Sequence, residues 1–418
     1  MTADSAPAAR HFGAARRWGR VMPVLLVTYS LAYLDRANFG LAAAAGMARD
    51  LRLTPGMLSA IGSFFSLGYF LCQMPGAMYA ERRSVKKLVF VSLILWGACA
   101  TLSGIVRDPR TLLAVRFALG VIEAAVFPAL LIYVARWYVR GERSRANTIL
   151  ILGNPLTVVW MSVISGYLIQ AFNWRWMFIL EGIPSILWAC AWWMLVRERP
   201  GDAPWLSAEE KRGLEAQFAA EQSGVRKIPN YRAALRSRPV ILLSVQFFFW
   251  TLGVFGFVLW LPTILKEGRT MGMVETGWLS AVPYLIAAVA MVAVSYFSDK
   301  SLHRQRFVWP SLALSALALY GSCLIGPAHF WVSFTLLVVA GAAMYAPYGP
   351  FWALVPELLP QNVAGGAMAL INSVGAFGAF VGAFGVGYLN AITGGPTASI
   401  TLMAVALALA AGLIGFVR

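Results

Sequence analysis

The chain has 418 residues, of which 59% are hydrophobic and 12% charged, with a mean hydropathy of +0.69. That much apolar surface exceeds what a soluble core can cover, which excludes an ordinary water-soluble globule and predicts a protein embedded in lipid. The formal charge of +16 invites a nucleic-acid reading, but the 34 Lys and Arg form no continuous basic face; they fall in short connectors between apolar runs, so no nucleic-acid partner is expected.

Apolar runs of about 20 residues, enough to cross a hydrocarbon core of roughly 30 Å as helix, begin near Val21, Met57, Leu88, Leu112, Thr148, Trp176, Val240, Thr276, Phe307, Phe330, Ala364 and Ala398. Most basic residues lie in the connectors on the side shared by both termini, and the positive-inside rule then predicts that both ends are cytoplasmic. The connector after the tenth run carries only Glu357 and adds nothing to that bias. The basic stretch Met1 to Arg20 precedes a run that continues past Asp35 to about Met47, which reads as an uncleaved first helix rather than a secretory signal.

The first run contains Asp35 and Arg36, and the fourth contains Arg116 and Glu123. An ionised side chain at mid-bilayer depth costs roughly 2.5 to 3.5 kcal/mol on insertion scales, so charges kept there point to ion-coupled transport. Arg116 and Glu123 are seven residues apart, which places them on one helical face about 10 Å apart along the axis. Asp35 and Arg36 project about 100° apart, so one can line a cavity while the other reaches toward the fourth span. A carboxylate there feels two opposing effects, desolvation and a neighbouring guanidinium, and their balance shifts as a cavity opens to either side, as a proton carrier requires. The competing reading is a pair of static buried salt bridges, which are poor net stabilisers.

After the second run the chain reads AMYAERRSVKK (77–87), and at the matching place after the eighth it reads SYFSDKSLHRQR (295–306). An acidic residue followed by basic ones at a helix end can form ion pairs that hold one closed state of a rocking carrier, which makes Glu81, Arg82, Asp299 and Lys300 gate candidates; plain topological charge is the alternative. The polar stretch Arg197 to Arg238 divides the spans into two sets of six. The expected organisation is a terminal segment (1–20), a first bundle (21–196), a linker (197–238) and a second bundle (239–418). Ser207 and Glu210 have the spacing of a capping box on a short linker helix lying at headgroup level.

The second set of spans has no Asp, Glu, Lys or Arg in its interiors, only neutral polar and aromatic groups: Gln246, Tyr284, Tyr345, Tyr348, Trp352 and Asn372. The segment GAFGAFVGAFGVG (375–387) follows no strand and lies in an apolar run, so it reads as close helix packing rather than a nucleotide loop; Gly-Lys occurs nowhere in the chain. Glu181 with Arg175 reads as a helix brace. Cys72, Cys99, Cys190 and Cys323 lie in apolar runs without paired spacing or nearby histidines, which argues against disulfides and zinc. No nucleophile, base and oxyanion set is apparent, so no enzyme activity, metal or cofactor is expected.

The two acidic loops resemble the signature of the major facilitator superfamily, with Ala77, Glu81 and Ser84 where that family commonly has Gly, Asp and Gly. YLDRANFG (33–40), RFALGVIEAAVFPA (116–129), WRWMFILEGIP (174–184), YGPFWALVPELLP (348–360) and LINSVGAFGAFVG (370–382) together resemble the anion:cation symporter branch. YAERRSVKKLVFVSLILWG (79–97), SRANTILILGNP (144–155) and VAGGAMALINS (363–373) are most similar to bacterial 2-ketogluconate transporters.

The resemblance implies an all-α integral membrane fold of twelve helices in two pseudo-symmetric six-helix bundles, monomeric, in a bacterial inner membrane. It implies import of a sugar-acid anion, 2-ketogluconate or a related aldonate, by proton symport through alternating access. The alternative is an organic-anion exchanger or a sodium-coupled carrier of another carboxylate. By the same resemblance Asp35 and Glu123 take the proton, Arg36 contacts the substrate carboxylate, and Arg116 trades between Glu123 and substrate. Tyr33, Tyr69, Asn154 and Asn372 match positions near the family cavity, and Gln246, Tyr348 and Trp352 complete the expected substrate set. The Pro-Glu-Ser-Pro-Arg motif of sugar porters and the glycine-proline motif of exporters are absent.

Overall fold

The computed structural model describes residues 13–53, 55–223, 231–268, 273–393 and 397–417. In lipid every backbone polar group must be satisfied within its own segment, and the apolar runs accordingly form helices. In chain order the long ones are α1 (Ala14–Ala42), α2 (Pro55–Arg82), α3 (Val85–Ile105), α4 (Pro109–Glu123), α5 (Val126–Trp137), α6 (Arg140–Ala171) and α7 (Trp174–Leu195) in the first half. A short α8 (Ala208–Ser223) follows, then α9 (Arg238–Gly268), α10 (Met273–Ser301), α11 (Gln305–Ile325), α12 (Phe330–Tyr345), α13 (Tyr348–Leu358), α14 (Gln361–Thr393) and α15 (Thr397–Ile414). Each predicted run begins inside one of these helices. The first run continues beyond α1 through a π turn at Ala43–Met47, where Gly46 takes a φ of 108° that favours glycine.

Among the described residues nine stretches are long and apolar enough to cross a bilayer, including Pro109–Trp137 and Phe330–Leu358, each of which is a pair of consecutive helices. With α1, α2 and α6 they make the twelve spans of the fold. The two paired spans break at matching places: α4 gives way to α5 at Ala124 and Ala125, directly after Glu123, and α12 gives way to α13 at Ala346 and Pro347. Asp108 caps the start of α4 by accepting from Thr111 N–H at 2.9 Å, and those Thr111 hydrogen bonds hold its carboxyl below the usual range.

Within the first half α3 lies along α7 and α2 along α4; within the second, α9 lies along both α14 and α15. The glycines of α14 permit its closest approach. A Cβ on Gly378 would stand 2.2 Å from the Phe248 carbonyl oxygen of α9, and one on Gly382 2.3 Å from that of Leu252. The halves meet through α2 against α14 and through α6 against α10 and α13.

The linker helix packs against the first half. Its capping box is formed, with Ser207 N–H donating to Glu210 at 2.7 Å and Glu210 N–H to the Ser207 hydroxyl at 3.1 Å. Trp205 stacks on Trp137 at the end of α5, ring centroids 5.5 Å apart, Leu214 is wholly buried, and Glu221 accepts from Arg140 N–H at 2.5 Å and from the Arg143 guanidinium at 3.0 Å. These contacts tie α8 to the first half.

Candidate functional site

Arg116 and Glu123 lie two turns apart on α4, both buried, with Glu123 the last residue before the helix breaks. The Arg116 guanidinium carbon stands 4.5 Å from the ring centroid of Phe39 and 5.3 Å from that of Phe65, so the buried charge is held against π faces. Phe65 stacks on Tyr69, centroids 6.1 Å apart. Gly120 lets α2 and α4 approach there, since a Cβ on it would stand 2.1 Å from the Phe65 carbonyl oxygen. Asn154 is half-buried on α6, beside Gly153, which packs on Tyr29 and Ser30 of α1. The side chains of Asp35 and Arg36 lie outside the described residues.

Opposite stands an aromatic cluster. Tyr348 lies 4.4 Å from Trp250 and 5.7 Å from Tyr345, which meets Tyr284 at 5.9 Å; Tyr33 of the first half lies within electrostatic reach of Tyr284, Tyr345 and Tyr348. Gln246 and Trp352 are wholly buried, and Asn372 is half-buried on α14. Trp352 meets Phe127 of α5 edge-on at 5.5 Å, a direct contact between the halves.

The hydrogen bonds and ion pairs that join the halves cluster at the end of the bundle carrying the chain termini. Glu81 accepts from the backbone N–H of Gly365, in the first turns of α14, at 2.9 Å. Asp299, at the corresponding place on α10, accepts from Ser144 N–H at 3.1 Å and Arg145 N–H at 3.0 Å, in the first turns of α6. Each acid of the repeated loop thus binds main-chain N–H groups in the first turns of a helix of the opposite half, near the positive end of its dipole. Around Asp299 the Arg145 side chain donates at 3.0 Å and that of Arg304 at 2.7 Å; Arg304 also binds Glu357 at 3.0 Å and the Arg140 carbonyl, and Arg140 pairs with Glu357 at 3.2 Å. The hydroxyls of Thr148 and Ser295 join α6 to α10 just inside this network.

Of the four gate candidates, Glu81 and Asp299 are drawn into the closure, whereas Arg82 and Lys300 stay exposed. Basic partners of Asp299 and Glu357 include Arg140, Arg145 and Arg304, and Glu357 is a core member, with its side chain only 6% exposed. In the sequence these residues register only as topological charge. Arg136, likewise unremarked, donates to the Glu81 carbonyl at 2.7 Å and to Glu198 at 2.7 Å, while Glu198 accepts the first N–H groups of α3. Beside Glu81 a cavity of about 880 Å³ is walled by α8, α5 and the start of α14, with Arg82, Arg136, Leu214, Phe218 and Met368 in its lining. At the other end Ser165 donates to Glu181 at 2.5 Å, and Arg175 reaches the Gly104 and Val106 carbonyls at the end of α3, so the two residues brace helices.

A bundle of twelve spans in two halves, with a buried arginine and carboxylate on α4 and a closure at one end, is the architecture of a secondary carrier. Residues 25–383 match the model of the Major Facilitator Superfamily, and the chain belongs to that family. It is a transporter, not an enzyme. It is 27% identical over 396 residues to a quinolone resistance transporter of Acinetobacter baumannii, covering 93% of this chain and 91% of the relative. It is 28% identical over 392 residues to a protein of Agrobacterium vitis named for tartrate transport (92% and 86% covered), and 26% identical over 376 residues to a hexuronate transporter of Bacillus subtilis (85% and 86%). The solved structure of the proton:xylose symporter XylE superposes with a TM-score of 0.78, covering 97% of this chain and 96% of that one at 13% identity, and so shares the fold.

Proposed function

We propose that the protein imports a sugar-acid anion, 2-ketogluconate or a related aldonate, by proton symport, as a member of the anion:cation symporter branch. The end carrying both termini then faces the cytoplasm of a bacterial inner membrane. The observation that carries this reading is the buried pair on α4: an arginine and a carboxylate two turns apart, the carboxylate at the helix break, in a half that faces an opposing half supplying neutral hydrogen-bonding groups. Relatives named for tartrate and hexuronate transport support a hydroxylated carboxylate as cargo.

In this mechanism the closed end holds the cavity open to the outside. Protons neutralise Glu123 and Asp35, which releases Arg116 to the incoming carboxylate alongside Arg36. Tyr33, Tyr69, Asn154, Tyr348 and Asn372 line the route and offer hydrogen bonds to the hydroxyls. With its charges satisfied the cavity closes outside, the Glu81 and Asp299 contacts break, and both cargoes leave inward.

Purified protein in liposomes, assayed for uptake of aldonates, ketoaldonates, uronates, tartrate and a quinolone under separate proton and sodium gradients, tests the reading. Accumulation of a sugar acid driven by a proton gradient is expected. Movement of neutral sugars alone, or of the quinolone alone, overturns it. Glu123→Gln is expected to abolish proton-driven accumulation while leaving counterflow exchange, and normal accumulation by that variant would remove Glu123 from the coupling step.

A further inference from the structure

The cavity of about 880 Å³ beside Glu81 takes no part in the mechanism above, yet it has the size of a pocket for a small organic molecule. Three parts of the chain wall it. The first half supplies the end of α2 and the last turns of α5, the linker supplies residues 199–202 and one face of α8, and the second half supplies Pro356 of α13 and the first turns of α14. Ile132, Leu214, Phe218, Val363 and Met368 give it an apolar lining.

The lining also holds three arginines and three acids, but they are not equally available. Glu81 accepts from Gly365 N–H at 2.9 Å, and Asp202 accepts from Arg199 N–H at 3.2 Å. Arg136 donates to Glu198 and to the Glu81 carbonyl, each at 2.7 Å. The exposed side chains that remain are Arg82, Arg199 and Glu215, two guanidinium groups against one carboxylate. An exposed guanidinium fork suits a carboxylate or a sulfonate, and the apolar lining suits a ring. A polyhydroxylated cargo gains little from such a lining, so the fitting ligand is of another class.

The cavity depends on the closure. A Cβ on Gly365 would stand 2.6 Å from Ile132 Cδ1 and 2.9 Å from Glu81 Cδ, so the two halves touch along its wall. Parting of the halves at this end carries the α13 and α14 walls away from α5 and α8, and the enclosure is lost. An occupant therefore gains its full contacts only in the closed arrangement, and a ligand shifts an equilibrium by its differential affinity for the two states.

We infer that this cavity is an inhibitory site for a small organic anion with an aromatic or branched apolar body, which enters from the side of the termini and holds that end shut. The anionic group meets Arg199 and Arg82, and the body lies against Leu214, Phe218 and Met368. On the functional reading above that side is the cytoplasm, so such an acid accumulating in the cell slows further import.

Naphthalene-2-sulfonate, charged at every working pH, is the probe, and methanesulfonate, which lacks the ring, is the control; binding to the purified protein is followed by calorimetry. The probe should bind and the control should not. Arg199→Gln should weaken binding about tenfold through loss of a charge-assisted hydrogen bond. Glu215→Gln should tighten it about threefold by removing the opposing charge. Both changes fall on exposed side chains, and an unchanged melting temperature verifies the fold. Protein carrying Arg140→Cys and Glu357→Cys, cross-linked across the closed end, should keep full affinity. Probe trapped inside liposomes should lower the maximal rate of cargo uptake without raising its half-saturation, and the same concentration outside should have no effect. Absence of binding, equal binding of the control, affinity unmoved by Arg199→Gln, weaker binding in Glu215→Gln, or loss of affinity on cross-linking would each overturn the site. Uptake undiminished by trapped probe, or inhibited equally from outside, would overturn the inhibition. The binding measurements need no cargo, so failure of the site and failure of the functional reading are told apart.

Discussion

Arg304 is the most heavily engaged side chain of the closed end. Its guanidinium has no exposure and reaches Asp299, Ser298, Glu357 and the Arg140 carbonyl at once. Removing it by Arg304→Ala leaves two buried carboxylates short of a cation, and breaking a buried pair in that way costs about 3 to 5 kcal/mol. The expected result is a sharply lower melting temperature in detergent; Arg304→Lys recovers only part of it, because a point charge cannot replace the planar fork. Glu81→Ala removes one charge-assisted bond to Gly365 and should weaken closure by about 1.5 to 3 kcal/mol. A reporter cysteine replacing Met368, in the wall of the neighbouring cavity, should then label faster from that side. Glu81 and Asp299 stand out in the sequence because the same short pattern occurs twice. Arg140 and Glu357 do not, since they sit in different connectors and no local spacing links them; Arg304 lies in the repeated loop five residues after Asp299, but that spacing alone does not set it apart from the other basic residues there.

At the level of elements, the spans and the capping box were legible because periodicity, length and local hydrogen bonding decide them. The docking of α8 was not, because its anchors Trp205 and Glu221 meet Trp137 and Arg140, residues far off in sequence. The glycine-rich run of α14 reads from sequence as a packing face, and the structure gives that face its partner in α9. Gly378→Ala would push a methyl into the Phe248 carbonyl, and the helices must part to admit it; the expected loss is about 1 to 3 kcal/mol. Gly19→Ala is the contrasting case. Gly19 is exposed in the interior of α1 with nothing within 4 Å of its Cβ position, so the change should stabilise by up to about 1 kcal/mol. Thermal unfolding of the two variants side by side checks both signs.

For the whole molecule, the two-bundle architecture is visible in the chain, but the state it adopts is not. One sequence encodes two arrangements separated by a few kcal/mol, and hydropathy does not distinguish them. Here the closure lies at the end with the termini, where Arg140 and Glu357 join the halves. If that end must part during each cycle, cysteines replacing Arg140 and Glu357, joined by a short bis-maleimide, should stop transport while leaving binding from the opposite side intact. Continued flux after complete cross-linking would mean that the halves do not separate there. The acids that seal this end bind main-chain N–H groups at the starts of α6 and α14. A backbone receptor is indifferent to the side chain beside it, so a residue such as Ser144 can drift while its N–H still receives the carboxylate. The main-chain part of the clasp therefore leaves little imprint in paired substitutions: covariation among homologues should trace the arginine contacts, including those of Asp299, and pass over the main-chain bonds to Glu81 and Asp299.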